Sequence, residues 1–267
     1  MTWIIAHRGA RSLAPENTLA AARVARRLGA HAWETDVQVT RDGRLVLFHD
    51  PDLLRCTNAR EKLTDLRTAR RQEFLLAGFT LAELSTLDAG SWFEKTDPFS
   101  TIRTGRVTPA DLAGFKNEKI PCLADGLALT RHLDWRIDLE LKDHGTDPAL
   151  CYTVDTTLAV IDDSQISLHQ VAVSSFNHDW LHHIRQVRPD IAVQALVGES
   201  QAVMAAFAPG AFGVYNLNAG LVDPAFVARL VHQGFEVNLF TVNDPVAADR
   251  FIRAGASGII TDFPQFF

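Results

Sequence analysis

Several features are scarce in this chain of 267 residues, and each shortage excludes a class of protein. Only three cysteines are present, Cys56, Cys122 and Cys151, and their spacing is not that of a metal site. An odd number of scattered cysteines argues for reduced thiols rather than a disulfide framework. No apolar run reaches the roughly 18 residues of a membrane-spanning helix, and the first apolar run meets His7 too early for a secretory signal. We therefore expect a cytoplasmic protein with no stable membrane insertion.

Neither sign of charge dominates the chain. The formal net charge is −6, so the overall field does not favour a nucleic-acid partner. Residues 55–71 depart from this balance because they hold six basic residues: Arg55, Arg60, Lys62, Arg67, Arg70 and Arg71. We interpret this basic stretch as a solvent-exposed loop, and the alternative is a loop that attracts an anionic substrate.

Short apolar segments rich in β-formers alternate with segments of helical spacing. The predicted strands span 3–6, 31–37, 135–141, 169–174, 191–197, 211–216, 235–241 and 258–261. The predicted helices span 17–28, 123–133, 148–161, 177–187, 200–207, 224–233 and 245–254. This alternation and the chain length predict an α/β fold of the (β/α)8 TIM-barrel type. A doubly wound open sheet is the alternative, but it would usually need a glycine-rich turn that His7-Arg8-Gly9-Ala10 does not provide.

Two features interrupt the regular alternation after the second strand. Residues 37–48 predict a β-hairpin because the turn signal Asp42-Gly43 separates two apolar runs. This hairpin would return His49 to the neighbourhood of Asp36. Residues 51–120 then fit no βα unit, and their apolar content looks too small for a separate core. We therefore expect a single domain over 1–267 with an insertion at about 51–120 on its catalytic face.

Carboxylates stand at the ends of predicted strands, where barrel enzymes carry their chemistry. Glu34 and Asp36 are two residues apart, as are Glu140 and Lys142, so each pair should point to one face of its strand. Glu34, Asp36 and Glu140 therefore predict a site for one divalent cation. Oxygen ligands without cysteine or histidine favour Mg²⁺, Ca²⁺ or Mn²⁺ over zinc. Asp138 lies one step deeper in its strand and receives no role.

Two histidines and two basic side chains accompany the predicted cation site. His7 and His49 each end a short strand, and an imidazole is suited to proton transfer near neutral pH. We predict that both are catalytic, and we assign no role to the other eight histidines. Arg8 and Lys142 are suited to binding the non-bridging oxygens of a phosphate.

At the level of motifs, the chain resembles the glycerophosphodiester phosphodiesterases of the cytosolic bacterial type. The matching motifs run in order along the chain: His7-Arg8-Gly9, Pro15-Glu16-Asn17-Thr18, Glu34-Thr35-Asp36-Val37, Thr40-Arg41-Asp42-Gly43, His49-Asp50, 87–93, Ile120-Pro121-Cys122-Leu123, 139–142, Ser175-Phe176, Thr241-Val242-Asn243 and 258–264. The resemblance implies a metal-dependent barrel that hydrolyses glycerophosphodiesters to glycerol 3-phosphate and an alcohol. It also implies metal carboxylates at Glu34, Asp36 and Glu140, acid/base histidines at His7 and His49, and phosphate-contacting cations at Arg8 and Lys142.

Two positions depart from the pattern of this family. Phe240 stands where the family commonly has tryptophan, and Leu123-Ala124-Asp125 replaces the usual Leu-Glu-Glu. We expect Phe240 to alter the wall of the alcohol-binding pocket, and Asp125 to cap the following helix. Neither change affects the predicted reaction class, although both leave the identity of the leaving alcohol open.

The expected substrate is a small glycerophosphodiester, attacked by its own glycerol hydroxyl to give a cyclic phosphate that water then opens. Two alternatives stay open. A lysophospholipase D would need an apolar groove, for which Trp92, Phe93, Phe99 and Phe115 could serve, although these residues are more simply the core of the insertion. A non-catalytic phosphoester-binding barrel would not need the two histidines. The sequence predicts no oligomeric state.

Overall fold

The computed structural model of the protein describes residues 1–66, 68–145 and 152–267. Its strands are β1 Trp3–His7, β2 Ala32–Val39, β3 Leu45–Leu47, β4 Ile137–Leu141, β5 Val171–Ser175, β6 Ala192–Val197, β7 Val214–Asn218, β8 Glu236–Phe240 and β9 Gly258–Thr261. All of these except β3 form a parallel sheet, and β1 closes it by pairing with both β2 and β9. The fold is therefore the predicted (β/α)8 barrel and not an open sheet.

Helices cover the outside of this barrel and fill the connection between β3 and β4. In the described ranges they are α1 Leu19–Arg27, α2 Ala59–Lys62, α3 Ala69–Gln72, α4 Leu81–Leu84, α5 Trp92–Thr96, α6 Pro109–Phe115, α7 Leu123–His132, α8 Tyr152–Ser164, α9 His178–Val187, α10 Gln201–Ala206, α11 Pro224–His232 and α12 Pro245–Arg253. The first residues of the helix predicted over 148–161 lie outside the described residues. Within those residues, no helix is both long and apolar enough to cross a membrane.

Side-chain caps fix where several of these helices begin. Asn177, Asp223 and Asp244 each accept hydrogen bonds from backbone N–H groups in the first turn of the helix that follows. Asp125 accepts from the backbone N–H of Cys122 at the start of α7, which is the capping role expected of it. The helices therefore start close to the positions that the sequence signals indicate.

Because side chains alternate between the two faces of β2 and β4, acidic residues of both strands face the barrel interior. Trp33 and Val37 pack in the core between the sheet and the helices, as do Ile137, Leu139 and Leu141 of β4. Successive residues of a strand face opposite sides, so Glu34, Asp36 and Glu140 face the barrel interior. The parallel register sets Asp36 beside Glu140 and His7 beside Glu34. Burial of the outward apolar residues thus brings these charged residues together.

The hairpin predicted after the second strand is present. Strand β3 runs antiparallel to β2, with Val37 opposite Leu47 and Val39 opposite Leu45. The backbone N–H of Phe48 donates to the carbonyl of Asp36 at 2.9 Å. The chain therefore returns to the end of β2 just before His49.

The segment between β3 and α7 has a larger apolar core than the sequence suggested. Its buried side chains include Leu53, Leu76, Phe79, Leu84, Leu87, Trp92, Phe93 and Phe115. The expectation that this segment has too little apolar content for a core is therefore wrong. Its core was hard to see in the sequence because the buried residues lie on short helices and turns with no regular period. The same cluster includes Ala21 of α1 and Val46 of β3. This sharing supports our proposal that 1–267 forms one domain.

We expect Phe93→Ala to lower the free energy of unfolding by about 3–5 kcal/mol. Phe93 is fully buried, and its ring meets those of Trp92 and Phe115 edge-on. Urea unfolding would measure the change, with the exposed Val246→Ala as the control. A loss no greater than that of the control would contradict a stabilising core in this segment.

Candidate active site

Three carboxylates meet at the C-terminal end of the barrel. Glu34, Asp36 and Glu140 are buried, and one oxygen from each lies within 4.8 Å of the others. Glu34 Oε1 and Asp36 Oδ1 are buried without a hydrogen-bond partner among the residues described. Carboxylate oxygens left in this state need a cation or a proton. The geometry therefore fits the divalent cation expected from the sequence.

The pKa values of the three groups reflect the repulsion between them. Burial raises the pKa of Glu34 well above its usual range, and the charges of Asp36 and Glu140 raise it further. Burial and the charge of Asp36 also raise the pKa of Glu140. Burial acts the same way on Asp36, but Arg8 and Lys142 hold its pKa well below the usual range. A cation among these oxygens would stabilise all three ionised forms.

Arg8 is held by three carboxylates at the end of β1. Its backbone N–H donates to Glu34 Oε2 at 2.9 Å, and its guanidinium donates to Glu16 Oε1 at 2.9 Å. Its Nε lies 3.2 Å from Asp36 Oδ2. Burial alone would lower the pKa of Arg8, but these carboxylates raise it above its ordinary value. Arg8 is therefore a fixed positive charge beside the acidic cluster.

Lys142 provides a second fixed positive charge. Its Nζ donates to Glu140 Oε1 at 2.6 Å and lies 3.4 Å from Asp36 Oδ1. Burial opposes its charge, but Asp36 and Glu140 raise its pKa above the ordinary value. Both of the predicted phosphate-binding cations thus lie at the cluster, where an anionic substrate would meet them.

His7 is oriented by an aspartate from the other end of the chain. Its Nδ1 lies 2.7 Å from Asp262 Oδ1, and its Nε2 lies 3.9 Å from Glu34 Oε2. Burial, helped by the charge of Arg8, lowers the pKa of His7 to about 4. Because the pKa of Asp262 falls to about 2, against the effect of its burial, the proton belongs on Nδ1. The lone pair of Nε2 then faces the cluster.

His49 has the same kind of partner. Its Nδ1 lies 2.8 Å from Asp50 Oδ1, and Arg55 donates to both oxygens of that carboxylate, at 2.6 and 2.9 Å. These contacts hold the pKa of Asp50 below its usual range although burial raises it. The charge of His49 acts on Asp36, whereas His7 lies against Glu34. The two histidines therefore approach the cluster beside different carboxylates.

All seven residues predicted from the sequence lie together at this end of the barrel. Asn17 also belongs to the site, although the Pro15-Glu16-Asn17-Thr18 motif alone indicates no role for it. Asn17 Nδ2 donates to Asp36 Oδ2 at 2.8 Å, and its Oδ1 accepts from the backbone N–H of Asp36 at 3.2 Å. The carboxylate of Asp36 is therefore fixed before any ligand binds.

Two further residues that the sequence reasoning left without a role support His7. Asp262 belongs to the motif at 258–264, and Asn243 follows Thr241-Val242. Asn243 Nδ2 donates to Asp262 Oδ2 at 2.8 Å, and its Oδ1 accepts from the backbone N–H of Asp262 at 2.9 Å. Their positions in the motifs were the available signal, since nothing local links either residue to His7.

The basic stretch at 55–71 is not uniformly solvent-exposed. Arg71 is buried, stacks over Phe79 and donates to Glu83 Oε1 at 2.7 Å. Arg55 joins the site through Asp50. Arg67 lies outside the described residues. The interpretation as an exposed loop is therefore wrong for Arg71. Arg55 is exposed as expected, but the carboxylates of Asp50 and Glu16 bind it.

Two cavities border the cluster at this face. One of about 440 Å³ is lined by Glu140, Lys142, His144 and Phe176, among others. A much smaller cavity beneath the carboxylates is lined in part by Phe240. The ring of Phe240 packs edge-on against the ring of Phe176, with 6.0 Å between the ring centres. A larger cavity of about 710 Å³ lies at the opposite end of the barrel, so the chemistry and not the size of a cavity identifies the site.

Asp138 and His144, which received no role, both lie close to the site. Asp138 faces the small cavity, where burial raises its pKa to about 7. His144 Nε2 donates to the carbonyl of His49 at 3.3 Å. By contrast, Trp92, Phe93 and Phe115 are buried in the core of the segment after β3, which agrees with the simpler interpretation of these residues. Phe99 lies outside this core and packs edge-on against Phe263.

The fold and the site together define a barrel with two histidines and two cationic side chains beside a buried acidic cluster. A model of the glycerophosphoryl diester phosphodiesterase family matches residues 7–266. The chain belongs to this family, as its motifs predicted, and it is a glycerophosphodiester phosphodiesterase.

Relatives of known sequence and structure agree with this assignment. The glycerophosphodiester phosphodiesterase of Caldanaerobacter subterraneus subsp. tengcongensis is 29% identical over 99% of this chain and 95% of its own. Human glycerophosphodiester phosphodiesterase domain-containing protein 5 is 32% identical over 97% of this chain and 41% of its own. A phosphodiesterase structure from Oleispira antarctica, in complex with the product sn-glycerol-3-phosphate, is 26% identical with a TM-score of 0.76, covering 100% of this chain and 95% of its own.

Proposed function

We propose that the protein hydrolyses small glycerophosphodiesters to glycerol 3-phosphate and an alcohol with one divalent cation held by Glu34, Asp36 and Glu140. The observation that carries this proposal is a cluster of three buried carboxylates in which Glu34 Oε1 and Asp36 Oδ1 accept no hydrogen bond from the described residues, and Asp36 Oδ1 has only the ion pair with Lys142 nearby. When bound, a Mg²⁺, Ca²⁺ or Mn²⁺ ion supplies positive charge that neutralises the phosphate. The product seen in the Oleispira antarctica enzyme supports glycerol 3-phosphate as the product here.

Four side chains of the protein carry the remaining roles in this proposal. Arg8 and Lys142 bind the non-bridging phosphate oxygens, because both keep their charge inside the site. His7 and His49 transfer protons through Nε2, since an aspartate holds Nδ1 of each ring. His7 is neutral and accepts the proton of the attacking hydroxyl, and His49 protonates the leaving alcohol.

The attacking group in this proposal is the glycerol hydroxyl next to the phosphate. Its oxygen forms a bond to phosphorus as the bond to the leaving alcohol breaks, which gives a cyclic phosphate. Water then opens the ring with the histidine roles reversed. An attacking group within the same molecule is already positioned, so it avoids the entropic cost of ordering a water molecule.

The first experiment is to measure release of glycerol 3-phosphate from glycerophosphocholine with Mg²⁺, Ca²⁺ or Mn²⁺ present. We expect turnover, and we expect an analogue that lacks the attacking hydroxyl to react at least about 100-fold more slowly, given the advantage of an intramolecular nucleophile. Undiminished turnover of the analogue would contradict the cyclic route. Faster turnover of a long-chain lysophosphatidylcholine would instead favour a lysophospholipase D, and cation binding without any turnover would favour a binding protein.

A further inference from the structure

Glu16 lies at the centre of a group of three arginines. Its carboxylate is buried and accepts hydrogen bonds from Arg8 at 2.9 Å, from Arg11 at 2.8 Å and from Arg55 at 2.9 and 2.7 Å. Although burial raises the pKa of Glu16, these arginines lower it to about 2. Glu16 is therefore ionised, and it is the carboxylate that all three guanidinium groups share.

Each of the three arginines continues to a different part of the active site. Arg55 donates to Asp50, which holds His49. Arg8 contacts Glu34 and Asp36, as described above. The side chain of Glu16 thus links to Asp36 through Arg8, and to His49 through Arg55 and Asp50.

The third arginine reaches the other histidine. Arg11 lies 3.5 Å from Asp262 Oδ1, and the same oxygen lies 2.7 Å from Nδ1 of His7. Arg11 also packs against the ring of Phe99, with its guanidinium carbon 5.3 Å from the ring centre. Both histidines are therefore connected to Glu16 along a path of one arginine and one aspartate.

Arg55 uses its hydrogen-bond donors within the protein. Its Nε, Nη1 and Nη2 all donate to Glu16 or Asp50. Its side chain is 42% exposed, and its guanidinium carbon also lies 5.7 Å from the ring centre of Trp92. Without the charge of Glu16, Arg55 would repel Arg8 and Arg11 and would be free to move away from Asp50.

We propose that Glu16 is a positioning residue that sets the orientation of His7 and His49, and of the Arg8 guanidinium, through its three arginines. This proposal rests on the proposed roles of those three residues. It assigns the Glu16 carboxylate no contact with the substrate. Loss of its charge should therefore lower kcat through misplaced histidines while the fold remains intact.

We expect Glu16→Gln to lower kcat for glycerophosphocholine by about 10- to 100-fold, as substitution of residues that orient metal-site ligands commonly does. Glu16→Asp keeps the charge and should recover part of this loss. Glu83→Gln is the matched control, because Glu83 also binds a buried arginine, Arg71, in the segment after β3. The control should lose stability without losing kcat.

Two further readouts separate positioning from a purely structural role. The ¹⁵N shifts of the imidazoles should show less of the Nδ1-protonated form at both His7 and His49 in Glu16→Gln. Arg55→Lys should cost much less kcat in Glu16→Gln than in the wild-type protein, because coupled residues are not additive. If Glu16→Gln does not fold, Glu16→Asp replaces it in both measurements, and the expected changes have the same sign but are smaller because the shorter side chain keeps its charge.

Two results would overturn the proposal. One is a kcat for Glu16→Gln within twofold of the wild type, and the other is additive effects of Glu16→Gln and Arg55→Lys with unchanged imidazole shifts. Failure of the proposed function would look different, since the wild-type protein itself would then not release glycerol 3-phosphate under any cation.

Discussion

Replacement of either His7 or His49 by glutamine is expected to lower kcat for glycerophosphocholine by about 10²- to 10⁴-fold, the range typical of a general acid or base. Glutamine keeps a polar side chain of similar length, but it cannot accept and release a proton near neutral pH. KM should change little, because the phosphate is bound by Arg8 and Lys142 in our proposal. Steady-state release of glycerol 3-phosphate gives both parameters.

The control for these variants is His183→Gln. His183 is also paired with an aspartate, with its Nε2 2.8 Å from Asp155 Oδ1, but it lies on α9 and outside the site. Its loss should leave kcat unchanged. If His7→Gln and His49→Gln behaved like this control, proton transfer by the two histidines would be excluded.

Removal of divalent cations by a chelator is expected to abolish turnover of glycerophosphodiesters by the wild-type protein. Glu34, Asp36 and Glu140 then repel one another without a cation to neutralise the substrate. Excess Mg²⁺, Ca²⁺ or Mn²⁺ should restore turnover, and should also raise the melting temperature, because a ligand that binds only the folded state stabilises it. The Asp36→Asn variant should show neither response.

The control for this variant is Asp162→Asn, which removes an exposed carboxylate that binds Arg188 on the outside of the barrel. It should respond to added cations as the wild type does. Full turnover in the presence of a chelator, with cation-free protein verified by elemental analysis, would contradict the cation site.

The barrel and the acidic cluster could be predicted because both follow from local periodicity. Strands that are buried on their outer face appear in the sequence as short apolar runs, and residues two apart on such a strand lie on the same face. Glu34 with Asp36, and Glu140 with Lys142, are placed by this rule. His49 is placed by the turn signal at Asp42-Gly43, which folds the chain back beside Asp36.

The groups that orient the histidines could not be predicted in the same way. Asp262 is 255 residues away from His7 along the chain, and no periodic pattern links them. Arg55 looked like one charge in a basic loop, because its partner Glu16 lies 39 residues earlier in the chain. The sequence indicated a core after β3 around Trp92, Phe93 and Phe115, but its size was underestimated because helices such as α5 are too short to show a helical period.

The contact between His7 and Asp262 has a consequence for the biosynthesis of the enzyme. Strand β1 is made first and β9 last, and they meet at the line where the barrel closes. A ribosome must release β9 and the residues up to Asp262 before that carboxylate can reach His7. If His7 is catalytic as proposed, a nascent chain that is still shorter than this should be unable to hydrolyse substrate.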